Sequence, residues 1–182
     1  MSRYQIVLSA AALIFGPRAA TAQVFTTESG HASVTSHVPL HTFTGESDRL
    51  VGRISLADST VDFYLDLTTL DSGIGKRDKD MRRTLETDEY PFGEFFGKLV
   101  SPFDPELDGP QEATVAGAFT IHGVTRQVEI RGTLTLEPEG LRLEAAWELN
   151  LADYEIVPPS LLIMKVDEVQ EMKINAVMRP ES

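Results

Sequence analysis

The chain has 182 residues, no cysteine and a formal net charge of −12. This length is enough for one domain with a substantial hydrophobic core, and the absence of cysteine excludes disulfides and cysteine-based metal or redox sites. The excess of acidic residues repels phosphate backbones and anionic lipid surfaces, so nucleic acid is not an expected partner.

The N-terminal segment has the three parts of an export signal. Arg3 gives a positive start, residues 6–15 are mostly apolar, and Ala20-Thr21-Ala22 has the Ala-x-Ala pattern of a cleavage site. The apolar run is too short for a membrane anchor, because a spanning helix needs roughly 20 residues. The sequence therefore predicts a signal peptide over residues 1–22, cleaved after Ala22, no integral membrane span, and one domain over residues 23–182.

Apolar and polar residues alternate over eight segments in the manner of half-buried strands. In chain order, the segments are residues 32–36, 50–56, 60–67, 95–100, 117–121, 124–136, 141–149 and 171–178. One polar face per strand is typical of antiparallel sheets and predicts an all-β sandwich or barrel. An eight-stranded barrel can be filled by side chains or can hold one small ligand, and alternation does not choose between these interiors.

The fifth and sixth of these segments form a predicted hairpin with one buried face. Gly117, Phe119 and Ile121 point to one side, and Val128 and Ile130 repeat the pattern after a tight polar turn. A glycine, Gly123, supplies the backbone freedom that such a turn requires.

Two stretches interrupt the strand pattern. Residues 76–86 are rich in charge, with Met81 and Leu85 one helical turn apart, which predicts a short helix. Pro158 and Pro159 precede the apolar run 161–164. One interpretation of this second stretch is a helical turn or a lip at a barrel mouth, where its apolar run would contact a ligand. The other is a strand that its neighbours bury.

Several short motifs follow one another along the chain. They are Phe43-Thr44-Gly45, Ser72-Gly73, Arg77-Asp78, Tyr90-Pro91, Phe95-Phe96, Ile121-His122-Gly123-Val124-Thr125 and the block 150–156. Together they resemble the YceI-like family, although members usually have Thr in place of Ser72 and often His in place of Asp80. The resemblance implies a single antiparallel eight-stranded lipocalin-like β-barrel in the bacterial periplasm, which holds a long-chain amphiphile such as a polyisoprenoid.

An apolar tail needs a dry wall, and the inward positions of the strands are candidates for it. These positions are Phe63, Leu65, Phe119, Ile121, Val128, Ile130, Trp147, Met172 and Ile174. Ordinary core packing is the alternative role for each of them.

A polar head group needs a partner at the barrel mouth, and the candidates are Arg77, Asp78, His122 and Arg126. Arg77 can pair with a phosphate or carboxylate of a ligand. It can instead pair with Asp78 or Asp80, or cap the turn. His122 and Arg126 lie at or beside the hairpin turn, where a histidine can bond a head group or stabilise the turn itself.

The sequence predicts no catalytic residue, no metal site and no cofactor. The histidines His31, His37, His41 and His122 form no His-x-His or His-Glu-x-x-His spacing. No Gly-x-Ser-x-Gly motif and no glycine-rich phosphate loop occurs either. A metal-assisted enzyme that uses the N-terminal histidines remains one alternative.

The favoured function is therefore that of an exported protein, not an enzyme, that holds a polyisoprenoid, quinone-like or fatty acid derivative for storage or transport. The main alternative is a side-chain-filled barrel that acts as a protein-interaction module of the envelope. The sequence leaves open whether the protein forms a homodimer.

Overall fold

The computed structural model describes residues 24–38, 41–158, 160–161, 164–165 and 167–181. The predicted signal peptide therefore lies outside the described residues. So do Leu162 and Ile163 of the apolar run, and the side chains of its other two members are not described.

Ten strands and one α-helix follow one another along the described chain. They are β1 (Val24–Val38), β2 (His41–Ser55), β3 (Thr60–Asp66), α1 (Gly75–Thr84), β4 (Phe92–Leu99), β5 (Gln111–Ile121), β6 (Val124–Glu137), β7 (Gly140–Asn150), β8 (Ser160–Leu161), β9 (Met164–Lys165) and β10 (Val169–Pro180). Short 3₁₀ turns occupy Leu67–Thr69 and Leu151–Tyr154.

Eight of these strands close into one antiparallel barrel in the order β1-β10-β7-β6-β5-β4-β3-β2. The predicted all-β, eight-stranded barrel with one short helix is thus confirmed. Among the described residues, the short strands β8 and β9 pair with each other and not with the barrel. Leu161 in β8 and Met164 in β9 are the first and last residues of the predicted apolar run. At these two residues the run is neither a helical turn nor a strand of the barrel.

The first two strands begin earlier than the sequence predicts. In the ladder between β1 and β2, the register shifts between Thr27 and Gly30 and again between Gly30 and Ala32. A bulge of this kind places an extra residue in one strand and shifts the side-chain alternation. The period-2 pattern is therefore clear only after Ala32, where the predicted segment starts.

The hairpin turn between β5 and β6 consists of His122 and Gly123. Ile121 pairs with Val124, and the two turn residues have φ angles of 55° and 72°. Positive φ at both central residues defines the turn type whose twist matches the flanking strands. Glycine adopts this conformation freely, and histidine is one of the few other residues enriched there.

Helix α1 lies at the end of the barrel where β3 ends and β4 begins. Met81 anchors it to β2, because its sulfur would lie only 3.1 Å from a Cβ on Gly45. Asp78, which is buried, accepts hydrogen bonds from the backbone N–H of Ser72 at 2.9 Å and from its hydroxyl at 2.5 Å. These bonds from Ser72 hold the pKa of the Asp78 carboxyl below its ordinary value.

Replacing Gly52 with alanine is expected to destabilise the protein by about 1–3 kcal/mol. Gly52 pairs with Phe63 across β2 and β3, and a new Cβ would overlap the Phe63 ring. Urea unfolding measures the change. The matched control is Gly75→Ala, where a Cβ meets nothing within 4 Å, so stability should be unchanged or higher. Equal losses in the two variants would contradict this packing.

Replacing Asp78 with asparagine is expected to lower stability at neutral pH by about 2 kcal/mol, since hydrogen bonds to a carboxylate are lost. The pKa of Asp78 is lower in the folded protein than the value of about 3.9 expected in the unfolded chain. The carboxylate therefore stabilises the fold fully above that value and progressively less as pH falls through its folded pKa.

The stability difference between wild type and Asp78→Asn should consequently shrink below about pH 4. Urea titrations between neutral and acidic pH measure it. Asp80→Asn is the control, because Asp80 makes a surface ion pair with Arg83 at 2.9 Å, and its loss should cost less than about 1 kcal/mol. A difference for Asp78 that stays constant with pH would refute the role of its charge.

Candidate ligand-binding cavity

The barrel is hollow. Its interior contains a cavity of about 490 Å³, and all eight barrel strands contribute residues to the wall. Cavities of this size are in the range that holds drug-sized ligands. The sequence alternation was compatible with a filled or a hollow interior, and the structure has the hollow one.

Several inward-facing apolar side chains are only half-buried. In a filled barrel these positions would be packed by neighbours on all sides. Their partial exposure arises inside the barrel, where they border open space. The residues concerned are Val34, Val115, Ala145, Trp147, Met172 and Ile174.

The end of the barrel opposite helix α1 is closed by packed side chains. Leu141 and Met178 pair across β7 and β10 and are 0% exposed, and Phe25 is 2% exposed. None of these three borders the cavity. The cavity is therefore a pocket with a closed base.

Helix α1 contributes charged residues to the cavity rim. Lys76, Arg77 and Asp80 border the cavity there, together with Phe43 of β2. The guanidinium carbon of Arg77 lies 4.8 Å from the centre of the Phe43 ring, within the range of a cation–π contact. The rim thus combines an aromatic ring with positive charge.

Arg77 forms no ion pair with Asp78 or Asp80, the two carboxylates nearest to it in sequence. Asp78 bonds Ser72, and Asp80 pairs with Arg83. Among the residues that the structure describes, no carboxylate lies within ion-pair distance of the Arg77 guanidinium. Its one described contact is the Phe43 ring.

Eight of the nine predicted lining residues border the cavity. They are Phe63, Leu65, Phe119, Ile121, Ile130, Trp147, Met172 and Ile174. Whether they contact a ligand stays a prediction.

Val128, the ninth, packs against the core and does not border the cavity. The ladder between β6 and β7 extends only from Gly132 to Glu137, and the 3₁₀ turn Leu151–Tyr154 packs against β6. Val128 therefore lies in a part of β6 that pairs with β5 and not with β7.

Three of the four head-group candidates do not border the cavity. Asp78 is engaged with Ser72, and Arg126 is exposed on β6. His122 fastens the hairpin turn: its Nδ1 donates to the carbonyl oxygen of Tyr154 at 3.1 Å, and its Nε2 lies 3.4 Å from an Oε of Glu86. Arg77 alone of the four lies at the cavity.

Among the cavity residues that sequence reasoning did not name are Ser36, Phe43 and Gln170. Phe43 belongs to a motif that was recognised only as part of the family resemblance. Ser36 and Gln170 are polar, so an analysis that assigns inward positions to apolar residues passes over them. Their parity with Val34 and Met172 was the available signal.

Aromatic side chains of β5, β7 and the Leu151–Tyr154 turn pack against one another. The Phe119 ring contacts Trp147 and Tyr154 edge-to-face, with ring centres 6.2 Å and 5.7 Å apart. Burial raises the pKa of the Tyr154 hydroxyl, which therefore stays neutral. Because Trp147 also borders the cavity, its fluorescence is a suitable reporter of cavity contents.

The N-terminal histidines lie apart in separate pairs. His31 Nδ1 is 2.7 Å from Asp48, whereas His37 contacts Thr42 and Glu171, each at 3.1 Å. Within the described part of the chain, no three His, Asp or Glu side chains converge in a way that fits a metal ion. The same part of the chain contains no helix with the length and apolarity needed to cross a membrane.

Comparison with known proteins supports the resemblance seen in the motifs. A family model of the YceI-like domain matches residues 25–178. A UPF0312 protein of Vibrio campbellii is 31% identical over 161 residues, covering 81% of this chain and 83% of the relative.

Solved structures with the same fold are more distant in sequence. A polyisoprenoid-binding domain from Saccharophagus degradans, implicated in plant cell wall breakdown, superposes with a TM-score of 0.73 at 18% identity, covering 88% of this chain and 99% of that domain. BcnA of Burkholderia cenocepacia gives a TM-score of 0.67 at 12% identity, covering 80% and 94%. On the family match over residues 25–178 and the identity to the Vibrio relative, the chain belongs to the YceI-like family.

Proposed function

We propose that this protein binds one long-chain amphiphile inside the barrel, without chemical conversion, for storage or transport. The observation that carries the proposal is the apolar pocket of about 490 Å³ with a closed base. Membership of the YceI-like family and the fold shared with a polyisoprenoid-binding domain support a polyisoprenoid, quinone-like or fatty tail as the ligand class.

The pocket can supply the affinity by burial alone. Each buried CH₂ contributes about 0.8 kcal/mol, so roughly ten methylenes give about 8 kcal/mol before ordering costs. That gross energy is close to a micromolar dissociation constant, at about 8.2 kcal/mol. Longer tails offset the loss of translational and conformational freedom on binding.

We also propose that the protein is exported and acts in the periplasm. The predicted leader over residues 1–22 supports this location. An apolar tail needs protection from water in that compartment, and an enclosed barrel provides it.

Protein purified from its native periplasm without detergent is expected to carry a long-chain species at near one-to-one ratio. Native mass spectrometry measures the bound mass, and solvent extraction followed by lipid analysis identifies the ligand class. A ligand-free protein that also fails to take up isoprenoid alcohols and fatty acids after delipidation would refute the proposal.

Narrowing the pocket at Ala145 is expected to weaken tail binding. Ala145 borders the cavity, whereas the next residue, Ala146, faces the outside of the same strand. Ala145→Phe should lower affinity for a long-chain probe at least about tenfold, because a ring of six carbons takes the space of several methylenes. Ala146→Phe, the matched control, should leave affinity unchanged.

Quenching of Trp147 fluorescence by a titrated long-chain probe measures both affinities. For a variant that shows no quenching, competition between the long-chain probe and a second bound probe tests whether binding is lost. Circular dichroism establishes that each variant is folded. Equal effects of the two substitutions would place the binding site outside the barrel.

A further inference from the structure

The apolar pocket contains one buried hydroxyl without a partner. Ser36 is 2% exposed and borders the cavity, and its Oγ has no hydrogen-bond partner among the described residues. Buried polar groups are nearly always paired, because an unpaired one loses its bonds to water without replacement. An unpaired hydroxyl that faces a binding pocket is a group available to a ligand.

A second polar side chain lies directly across from it. Gln170 of β10 is the register partner of Ser36 of β1, is 5% exposed, and also borders the cavity. Side chains at directly opposed positions have Cβ atoms about 5 Å apart. The two residues are the buried polar side chains among the described residues that border the cavity, and they are here called the Ser36–Gln170 pair.

The amide of Gln170 has only one orientation that satisfies its neighbours. Its Nε2 donates to the carbonyl oxygens of Asp167 at 2.7 Å and Val169 at 3.2 Å. Since a carbonyl oxygen only accepts, the nitrogen has to face these two groups. No described residue bonds Oε1, so this oxygen is left as a free acceptor on the residue that lies opposite Ser36 in the ladder.

We propose that the Ser36–Gln170 pair binds an uncharged hydroxyl, of an alcohol or phenol, at the polar end of the ligand. The ligand hydroxyl donates to Oε1 of Gln170 and accepts from Oγ of Ser36. This inference rests on the proposed function and specifies the head group of the amphiphile.

Other head groups fit these two residues less well. A ketone accepts from Ser36 but leaves Oε1 of Gln170 unpaired. A carboxylate or phosphate would place negative charge against Oε1, and a buried anion needs a cation to offset its lost hydration. The cations Lys76 and Arg77 on the rim and Lys173 on β10 border the cavity, and they offer a competing site for an anionic head group.

The position of the pair also gives the ligand a direction. Ser36 pairs with Phe43 across β1 and β2, and the Phe43 ring contacts the Arg77 guanidinium at the rim. The Ser36–Gln170 pair thus lies at the helix end of the pocket. A tail that starts there extends toward Leu99 and Leu134 near the closed base.

The test compares three probes with the same twenty-carbon prenyl tail: the alcohol, the parent hydrocarbon and the monophosphate ester. Each is delivered from cyclodextrin and competes with a fluorescent long-chain probe. Wild type should prefer the alcohol to the hydrocarbon. Ser36→Ala should lower alcohol affinity about fivefold, the effect of one hydrogen bond, and leave hydrocarbon affinity unchanged.

Ser47→Ala is the matched control. Ser47 is another buried serine, but its Oγ bonds Oγ1 of Thr69 at 2.6 Å, and it does not border the cavity. This variant should have a lower unfolding temperature and unchanged affinity for all three probes. Ser36→Ala should keep or raise the unfolding temperature, because its hydroxyl has no bond to lose within the protein.

Three results would overturn the inference while the tail-binding function stands. They are equal wild-type affinity for alcohol and hydrocarbon, an equal fall for both probes in Ser36→Ala, and a preference for the phosphate ester that disappears in Arg77→Gln. If wild type binds none of the probes, including the hydrocarbon that reports on the tail site alone, the proposed function fails and the inference fails with it.

Discussion

Closure of the backbone hydrogen-bond ring is the constraint on which this structure depends. A closed barrel pairs the edges of its sheet, so the backbone is satisfied without any requirement that the interior be filled. The interior can then remain open, at the expense of the burial that a filled core would give. The packed base around Leu141 and Met178 supplies part of that burial where no ligand needs to reach. The chain has no cysteine, so no disulfide contributes to the stability of this wall.

Small residues in the wall decide where large ones can lie. The Phe63 ring covers Gly52 on the neighbouring strand, so the ring lies along the wall and the pocket beside it stays open. At the helix end, Tyr90 covers Gly123 in the same manner, since a Cβ there would lie 2.6 Å from the Tyr90 ring. Two motifs that are separate in sequence, Tyr90-Pro91 and the hairpin turn, thus meet in the fold. Their shared role is to hold the turn in place, and His122 adds its bond to the Tyr154 carbonyl.

Strand alternation predicted the barrel well because burial on one face leaves a direct mark on the sequence. In β3, Val61, Phe63 and Leu65 are buried and Asp62 and Tyr64 are outward, as the period-2 pattern requires. The same logic failed at the start of β1, where bulges shift the register. It also failed at Val128, because parity gives the face of a strand and not what that face meets.

The missed polar residues follow from the same limit. Ser36 and Gln170 lie at inward positions, but a rule that equates inward with apolar assigns them no role. The rule reflects the average free-energy cost of burying a polar group. In a binding site, hydrogen bonds to the ligand offset that cost. Arg77 shows the opposite case: its charge suggested an ion pair with Asp78 or Asp80, yet each of these carboxylates has another partner in the fold.

Affinity and selectivity have different physical sources in a pocket of this design. Apolar burial is non-directional and grows with each methylene, so it favours long tails without distinguishing their ends. A hydrogen-bonding pair in a dry wall adds little to the total energy, but it penalises any end that leaves its donor or acceptor unpaired. The Ser36–Gln170 pair lies near the rim, so a hydroxyl bound there leaves the whole depth of the pocket to the tail. The same placement sets the length of tail that gains from burial, because the pocket ends at the closed base and a longer tail does not fit inside it.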